Sequence, residues 1–235
     1  MRAPEFSAQW YREVTEFAHG LPPWAREAAE IGTDAGLGLF AVLFLAGWWR
    51  ARGRGDRAMA LALTAPVAVI AAYLVSEISK TQLREERPCR AVAGAVNIAA
   101  CPAPGDWSFP SNHATIAAAS AAAIVVAWRA LAPLVLPLAA LMAFSRVLVG
   151  VHYPHDVAAG YLLGAAVAAL ACLAAARPAA ALVGRARALP GGPALLGTPP
   201  APRPPAVPMS ATPTVPDLVP VGADHSPGSA TRPAS

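Results

Sequence analysis

Five apolar stretches, near 35–49, 58–79, 114–128, 130–144 and 157–176, leave this chain few folds to choose from. A bilayer core takes about 20 apolar helical residues, with a usable range of about 17–25. The second and fifth stretches meet that length directly, and the other three reach it once flanking residues join them. Inside lipid every backbone N–H and C=O needs a partner within the protein, so helices are expected for all five. Composition weighs the same way. The 235 residues are 56% hydrophobic and 14% charged, whereas a soluble domain carries about 25% charged residues. Five buried helices of a soluble all-α protein are the competing reading, and that balance disfavours them.

The flanks differ from the spans. Trp10, Val14 and Phe17 share one helical face, with Arg12, Glu13 and Glu16 elsewhere. That spacing suits a helix lying on the membrane surface, or a cap on the bundle. From Arg177 onward 14 of the 25 prolines accumulate among Ala, Gly, Ser and Thr, a composition unable to bury a core. The expected organisation is an interfacial segment over 1–32, a transmembrane domain over 33–176 and a disordered tail over 177–235. The fold class is thus an all-α integral membrane bundle of about five helices.

Other functions find little support. A formal charge of +4, without a dense basic run carrying interleaved aromatics, gives no sign of nucleic-acid binding. Cys89, Cys101 and Cys172 form no CxxC pair and no His/Cys cluster at metal spacing, so no metal and no cofactor is expected. The opening MRAPEFSAQW lacks an apolar h-region, so insertion is expected to be directed by the first span.

Three polar motifs interrupt the apolar pattern. Lys80 and Arg87-Pro88 follow the second stretch; Pro110-Ser111-Asn112-His113 opens the third; Ser145-Arg146, His152 and Asp156 lie between the fourth and fifth. If five helices alternate in direction, all three motifs reach the same membrane face. Ionisable residues gathered there are functional candidates. Their chemistry suits phosphoryl transfer, in which charge on the non-bridging oxygens must be held. Arg87 and Arg146 offer planar charged forks, Lys80 a point charge, and Ser111 and the helix-start N–H groups neutral donors. Of two histidines, one can attack phosphorus while the other protonates the leaving oxygen. Asp156, four residues after His152, can fix that imidazole's tautomer. His155 is a rival base beside Asp156, and Glu77, one turn before Lys80, is read as its structural partner.

The three motifs together resemble the signature of the type 2 phosphatidic acid phosphatase superfamily, which also contains the vanadium haloperoxidases: Lys-x6-Arg-Pro, Pro-Ser-Gly-His and Ser-Arg-x5-His-x3-Asp. Asn112 stands where the signature has glycine. The resemblance implies a metal-independent lipid phosphatase with His152 as nucleophile, Asp156 as its orienting partner and His113 as general acid. Lys80, Arg87, Ser111, Asn112 and Arg146 would hold the phosphoryl group, with the Asn112 side chain crowding the pocket. His155 matches no fixed position of the signature. The Pro-Ser-Asn-His variant resembles bacterial undecaprenyl-diphosphate phosphatases, so undecaprenyl diphosphate is the expected substrate. Phosphatidate and phosphatidylglycerol phosphate are the alternatives, and a non-catalytic lipid-phosphate binder or transporter the alternative of another class. The expected partners are the bilayer and the lipid phosphate.

Arg50, Arg52, Arg54 and Arg57 crowd the loop between the first two spans, which favours a cytoplasmic loop, an extracytoplasmic site and a cytoplasmic tail. Cys89 and Cys101 would then share an oxidising space, where a disulfide or two free thiols are both open.

Overall fold

In the computed structural model of the chain residues 3–198 are described, and every regular element among them is helical. Helix α1 (Glu5–His19) leads into α2 (Pro23–Ala51) and α3 (Asp56–Leu83). A long polar loop follows, containing the single turn α4 (Pro88–Ala91). Then come α5 (Asn112–Ala127), a 3-10 turn at Arg129–Leu131, α6 (Ala132–Leu148), α7 (Pro154–Arg187) and the short α8 (Gly192–Leu196). Helices α2, α3, α6 with its leading turn, and α7 are long and apolar enough to cross a membrane. The apolar α5, with 16 residues, completes the expected bundle of five.

Small residues let these helices approach closely. A Cβ on Gly160 of α7 would stand 2.4 Å from the Ser111 carbonyl oxygen, and one on Gly164 would stand 2.1 Å from that of Thr115. The backbones of α5 and α7 therefore meet along a Gly-x3-Gly face, a common solution where lipid removes the hydrophobic drive for association. Ala119 and Ala123 of α5, Ala168 and Cys172 of α7, and Ala65, Ala68 and Ala72 of α3 extend that contact toward the far side. At the near end the Ser111 N–H donates to the Asp156 carbonyl at 3.1 Å, joining the start of α5 to the start of α7.

Two expectations change. The helix expected at 157–176 does not stop where prolines begin: α7 passes through Pro178 and continues to Arg187. Ala179, Ala180 and Val183 pack against Met59 and Ala60 of α3, and Arg187 Nη1 donates to Asp56 Oδ1 at 2.6 Å. Packing and good helix formers outweigh the one proline. The remainder of the tail, from 199, lies outside the described residues. At the other end, α2 starts at Pro23 inside the expected interfacial segment, proline being well suited to a first helical position.

Helix α1 packs on the bundle through its smaller, polar face and leaves the apolar face expected for a membrane surface largely exposed. Ser7, Tyr11, Thr15 and Ala18 are buried, while Phe6, Trp10 and Phe17 are exposed. Tyr11 donates from its hydroxyl to the Gly150 carbonyl at 3.0 Å and packs on Tyr153, so α1 covers the α6–α7 corner and turns its aromatics outward. Burial without an ionic partner pushes the Tyr11 phenol up to about 12.

The close α5–α7 contact predicts the effect of one substitution. Gly164→Val places methyl groups against the Thr115 backbone and costs about 2 kcal/mol or more. A lowered midpoint of thermal unfolding in detergent checks this, with Leu170→Val on the exposed face of α7 as the control that leaves the midpoint unchanged.

Candidate active site

Each polar motif sits at a helix end on the same side of the bundle. Lys80 lies in the last turn of α3, Arg87 just before α4, Ser111 at the N-cap of α5, Arg146 in the last turn of α6, and His152 and Asp156 around the start of α7. The Val149 carbonyl accepts from the Ile98 and Ala99 N–H groups, which fastens the α3–α5 loop over the α6–α7 corner. The same loop is closed by a disulfide between Cys89 and Cys101, and Cys172 is a buried free thiol.

His152 is 2% exposed and held from both ring nitrogens. Arg87 Nη1 lies 3.0 Å from Nε2 and also donates to the Val151 carbonyl at 3.0 Å. A guanidinium can only donate, so Nε2 accepts and carries a lone pair. The proton then sits on Nδ1, 3.3 Å from Asp156 Oδ2. That oxygen also receives the Tyr153 N–H at 2.8 Å and the Ser108 hydroxyl. Burial first, and then the positive charges of Arg87, Arg146 and Lys80, hold the His152 imidazole well below its ordinary value. It is a neutral imidazole with its outer nitrogen bare of hydrogen, the form needed for attack on phosphorus.

The cations surround this histidine. Arg87 donates from Nε to the Asp106 carbonyl at 2.9 Å and from Nη2 to Asp106 Oδ1 at 2.8 Å, and Lys80 Nζ lies 3.5 Å from the same carboxylate oxygen. Burial pushes the Asp106 carboxyl up, but Arg87 and then Lys80 outweigh it and hold the group below the ordinary carboxylate range. Arg146 donates to Thr33 Oγ1 at 3.0 Å, while its Nε is buried with no hydrogen-bond partner among the described residues. Ser111 Oγ is buried and similarly unpartnered, as befits a donor reserved for a ligand oxygen. His113, with a side chain 27% exposed, places Nε2 2.7 Å from Asp34 Oδ1.

One expected role is revised by this geometry. The Asn112 side chain does not crowd the phosphate pocket: Oδ1 accepts from Ser76 at 2.7 Å and Nδ2 donates to Glu77, bracing α5 against α3. Only its backbone N–H remains for a ligand. Glu77 lies 3.9 Å from Lys80, in line with the pairing expected of it. His155 faces away from His152. Its Nδ1 is 2.7 Å from Ser7 Oγ, its Nε2 is 3.0 Å from Glu85 Oε1 and 3.3 Å from Asp156 Oδ1, and its ring stacks on Phe109 and Tyr153. Glu85, His155 and Asp156 are the one cluster with metal-ligand spacing among the described residues. It lies behind Asp156, and the cation pocket in front needs no ligand from it.

Thr33, Asp34, Asp106 and Ser108 were missed by sequence reasoning. Each is a single polar residue outside the motif positions, so only the folded contacts reveal it.

A profile of the PAP2 superfamily matches residues 61–178, a stretch that contains all three motifs. The chain belongs to the PAP2 superfamily. It is 41% identical over 108 residues to the decaprenylphosphoryl-5-phosphoribose phosphatase of Mycobacterium tuberculosis, covering 46% of this chain and 58% of that protein. It is also 33% identical over 111 residues to an undecaprenyl-diphosphatase of Sulfolobus acidocaldarius, covering 46% and 52%. The chain thus spans about half the length of the curated relatives it matches. Among solved structures, the transmembrane PAP2-type phosphatidylglycerolphosphate phosphatase of Bacillus subtilis superposes with a TM-score of 0.52 at 22% identity, over 72% of this chain and 85% of that one. That likeness shows the fold, a multi-pass membrane bundle.

Two measurements follow from the site's electrostatics. Because burial and the surrounding cations hold His152 well below the ordinary imidazole value of about 6.5, its protonation should cause no fall in kcat as pH drops from about 7 to about 5.5, and protonation of His113 can only raise the rate. A rate that halves near pH 6.5, after correction for titration of the substrate, overturns this. Asp106 shares Arg87 and Lys80 with any incoming phosphate, so Asp106→Asn should lower KM about fivefold, the equivalent of about 1 kcal/mol, as read from initial rates of phosphate release.

Proposed function

We propose that this PAP2 protein is a membrane phosphatase that removes the terminal phosphate from a polyprenyl-linked phosphate through a phosphohistidine at His152. One observation carries the reading: a buried, neutral His152 whose unprotonated Nε2 faces the Arg87 guanidinium and whose Nδ1–H is fixed by Asp156 from the other side. When substrate binds, that guanidinium would turn to the phosphoryl oxygens. Binding alone needs cations; an oriented nucleophile with its own carboxylate serves covalent chemistry. That arrangement weighs against the non-catalytic binder.

In the proposed cycle Lys80, Arg87, Arg146, the Ser111 hydroxyl and the N–H groups at the start of α5 hold the non-bridging oxygens. His152 Nε2 attacks phosphorus as His113 gives a proton to the departing oxygen. Water then attacks the phosphohistidine, with His113 taking a proton from it. No step in this sequence calls on a metal ion.

The lipid class draws support from two relatives whose names specify polyprenyl carriers. Undecaprenyl diphosphate, the substrate expected from the Asn112 variant, is one member of that class, and a polyprenyl-linked sugar phosphate is another. Phosphatidate and phosphatidylglycerol phosphate have weaker support, since the glycerolipid enzyme of Bacillus subtilis shares the fold alone. The arginine-rich loop between α2 and α3 and the Cys89–Cys101 bond both favour an extracytoplasmic site.

The test is phosphate release by the purified full-length chain in detergent, from polyprenyl and glycerolipid phosphates side by side. Polyprenyl substrates should be turned over at least tenfold more efficiently. His152→Ala should reduce kcat about 10⁴-fold or more while leaving lipid binding within a few-fold. Wild-type turnover confined to glycerolipids would overturn the lipid assignment, and a His152→Ala variant that stays active would overturn the mechanism.

A further inference from the structure

Helix α2 turns two polar side chains toward the site, and the motifs include neither. Thr33 is buried; it accepts from Arg146 Nη1 and bonds Ser145 Oγ at 2.8 Å. Asp34, the next residue, has a side chain 75% exposed, with Oδ1 2.7 Å from His113 Nε2 and 4.0 Å from Arg146 Nη1.

Asp34 stands on the leaving-group side of the reaction. His152 Nε2 forms a bond to phosphorus, the bond from phosphorus to the leaving oxygen breaks, and the electron pair stays on that oxygen. The His113 Nε2–H proton neutralises it. Water later cleaves the phosphohistidine, returns a proton to His113 and releases inorganic phosphate. Asp34 Oδ1 thus occupies the place that the leaving oxygen must take at Nε2. A bound substrate displaces the carboxylate by a small swing and keeps it as a neighbour.

A carboxylate there accepts some leaving groups and opposes others. In a diphosphate the leaving oxygen belongs to a second phosphoryl group, whose negative charge would lie against Asp34. The exposed start of α2 adds to that opposition: Glu27, Glu30 and Asp34 against Arg26 give it a net charge of −2 over 23–34. Lys80, Arg87 and Arg146 are already engaged by the phosphoryl group being transferred. In a sugar phosphate the leaving oxygen is an alcohol on carbon, its neighbouring hydroxyls are donors, and the next negative charge is a sugar ring away. Ionised carboxylates accept such hydroxyl bonds strongly.

We propose, on the basis of the phosphatase reading above, that Asp34 is the specificity-determining residue on the leaving-group side. It selects a polyprenyl-linked sugar phosphate, whose leaving group carries hydroxyls, over a polyprenyl diphosphate.

The experiment compares wild type, Asp34→Asn and Asp34→Ala on two lipids of equal chain length, a polyprenyl-linked pentose phosphate and the polyprenyl diphosphate, with thermal midpoints confirming that each variant is folded. Wild type should prefer the sugar phosphate by about tenfold or more in kcat/KM, and Asp34→Ala should shrink that ratio about tenfold. Most of the change should appear as a raised KM for the sugar phosphate and a lowered KM for the diphosphate. An equal loss on both lipids would mean that Asp34 acts only by positioning His113, and would overturn the proposal. A wild-type preference for the diphosphate would overturn it too. Should wild type release phosphate from neither lipid, the phosphatase reading itself fails, whereas activity on both with an Asp34-independent ratio sinks the selectivity alone.

Discussion

Arg87 is a permanent charge almost wholly enclosed by protein, and much of the site is arranged to satisfy it. Its donors reach the Val151 carbonyl, His152 Nε2, the Asp106 carbonyl and the Asp106 carboxylate, so one side chain fastens the α3–α5 loop to the α6–α7 corner. Leaving any of those acceptors unmatched would strand part of a buried guanidinium at a cost of several kcal/mol. The same bonds dictate the tautomer of His152, because an arginine cannot accept. Structural satisfaction and chemical readiness are therefore one set of hydrogen bonds. A second set behind Asp156, made by Tyr153 N–H, Ser108 and His155, keeps the carboxylate from rotating away from Nδ1.

That network closes only because helix ends arrive within hydrogen-bond reach of one another. The glycines at 160 and 164 let α7 touch the backbone of α5, and this contact sets the distance between the α5 start, which carries Ser111 and His113, and the α7 start, which carries Asp156. Alanines continue the contact to α3, whose last turn delivers Lys80. The packing device is spread along the bundle, yet its product is concentrated at one end. Helix α2 contributes less to the packed centre and more to the mouth, where Thr33 and Asp34 face Arg146 and His113.

Legibility in the sequence followed the same division. Residues whose roles depend on spacing within one segment, such as Lys80 with Arg87 or His152 with Asp156, could be paired before any fold was known. Alternation of five apolar stretches was enough to bring the three motifs to one face. What spacing cannot show is which way a side chain turns. Asn112 faces α3, not the pocket, because Ser76 and Glu77 offer it both a donor and an acceptor. Asp34 lies almost eighty residues before its partner His113 and looks like an ordinary polar residue at the edge of a span. The proline-rich boundary at 177 misled for a different reason. Composition reports what a segment can do alone, whereas 179–187 are helical because α3 is there to pack against.

The two histidines also inhabit different surroundings, and the difference has chemical sense. His152 and Asp156 are nearly free of solvent contact, while the side chain of His113 is 27% exposed and its partner Asp34 75% exposed. As the proposed nucleophile, His152 would be kept from competing protons by the enclosing cations and carbonyls and would meet phosphorus from the dry side. In the proposed cycle the leaving group would depart on the open side, past His113. Water for the second half-reaction would take the same route and come within reach of His113. One histidine can then serve both half-reactions because entry and exit share a single mouth. On that proposal the Asp34 carboxylate at the mouth would face whatever the phosphate was attached to, which makes it the natural place for substrate discrimination when the inner half of the site is given over to phosphoryl transfer.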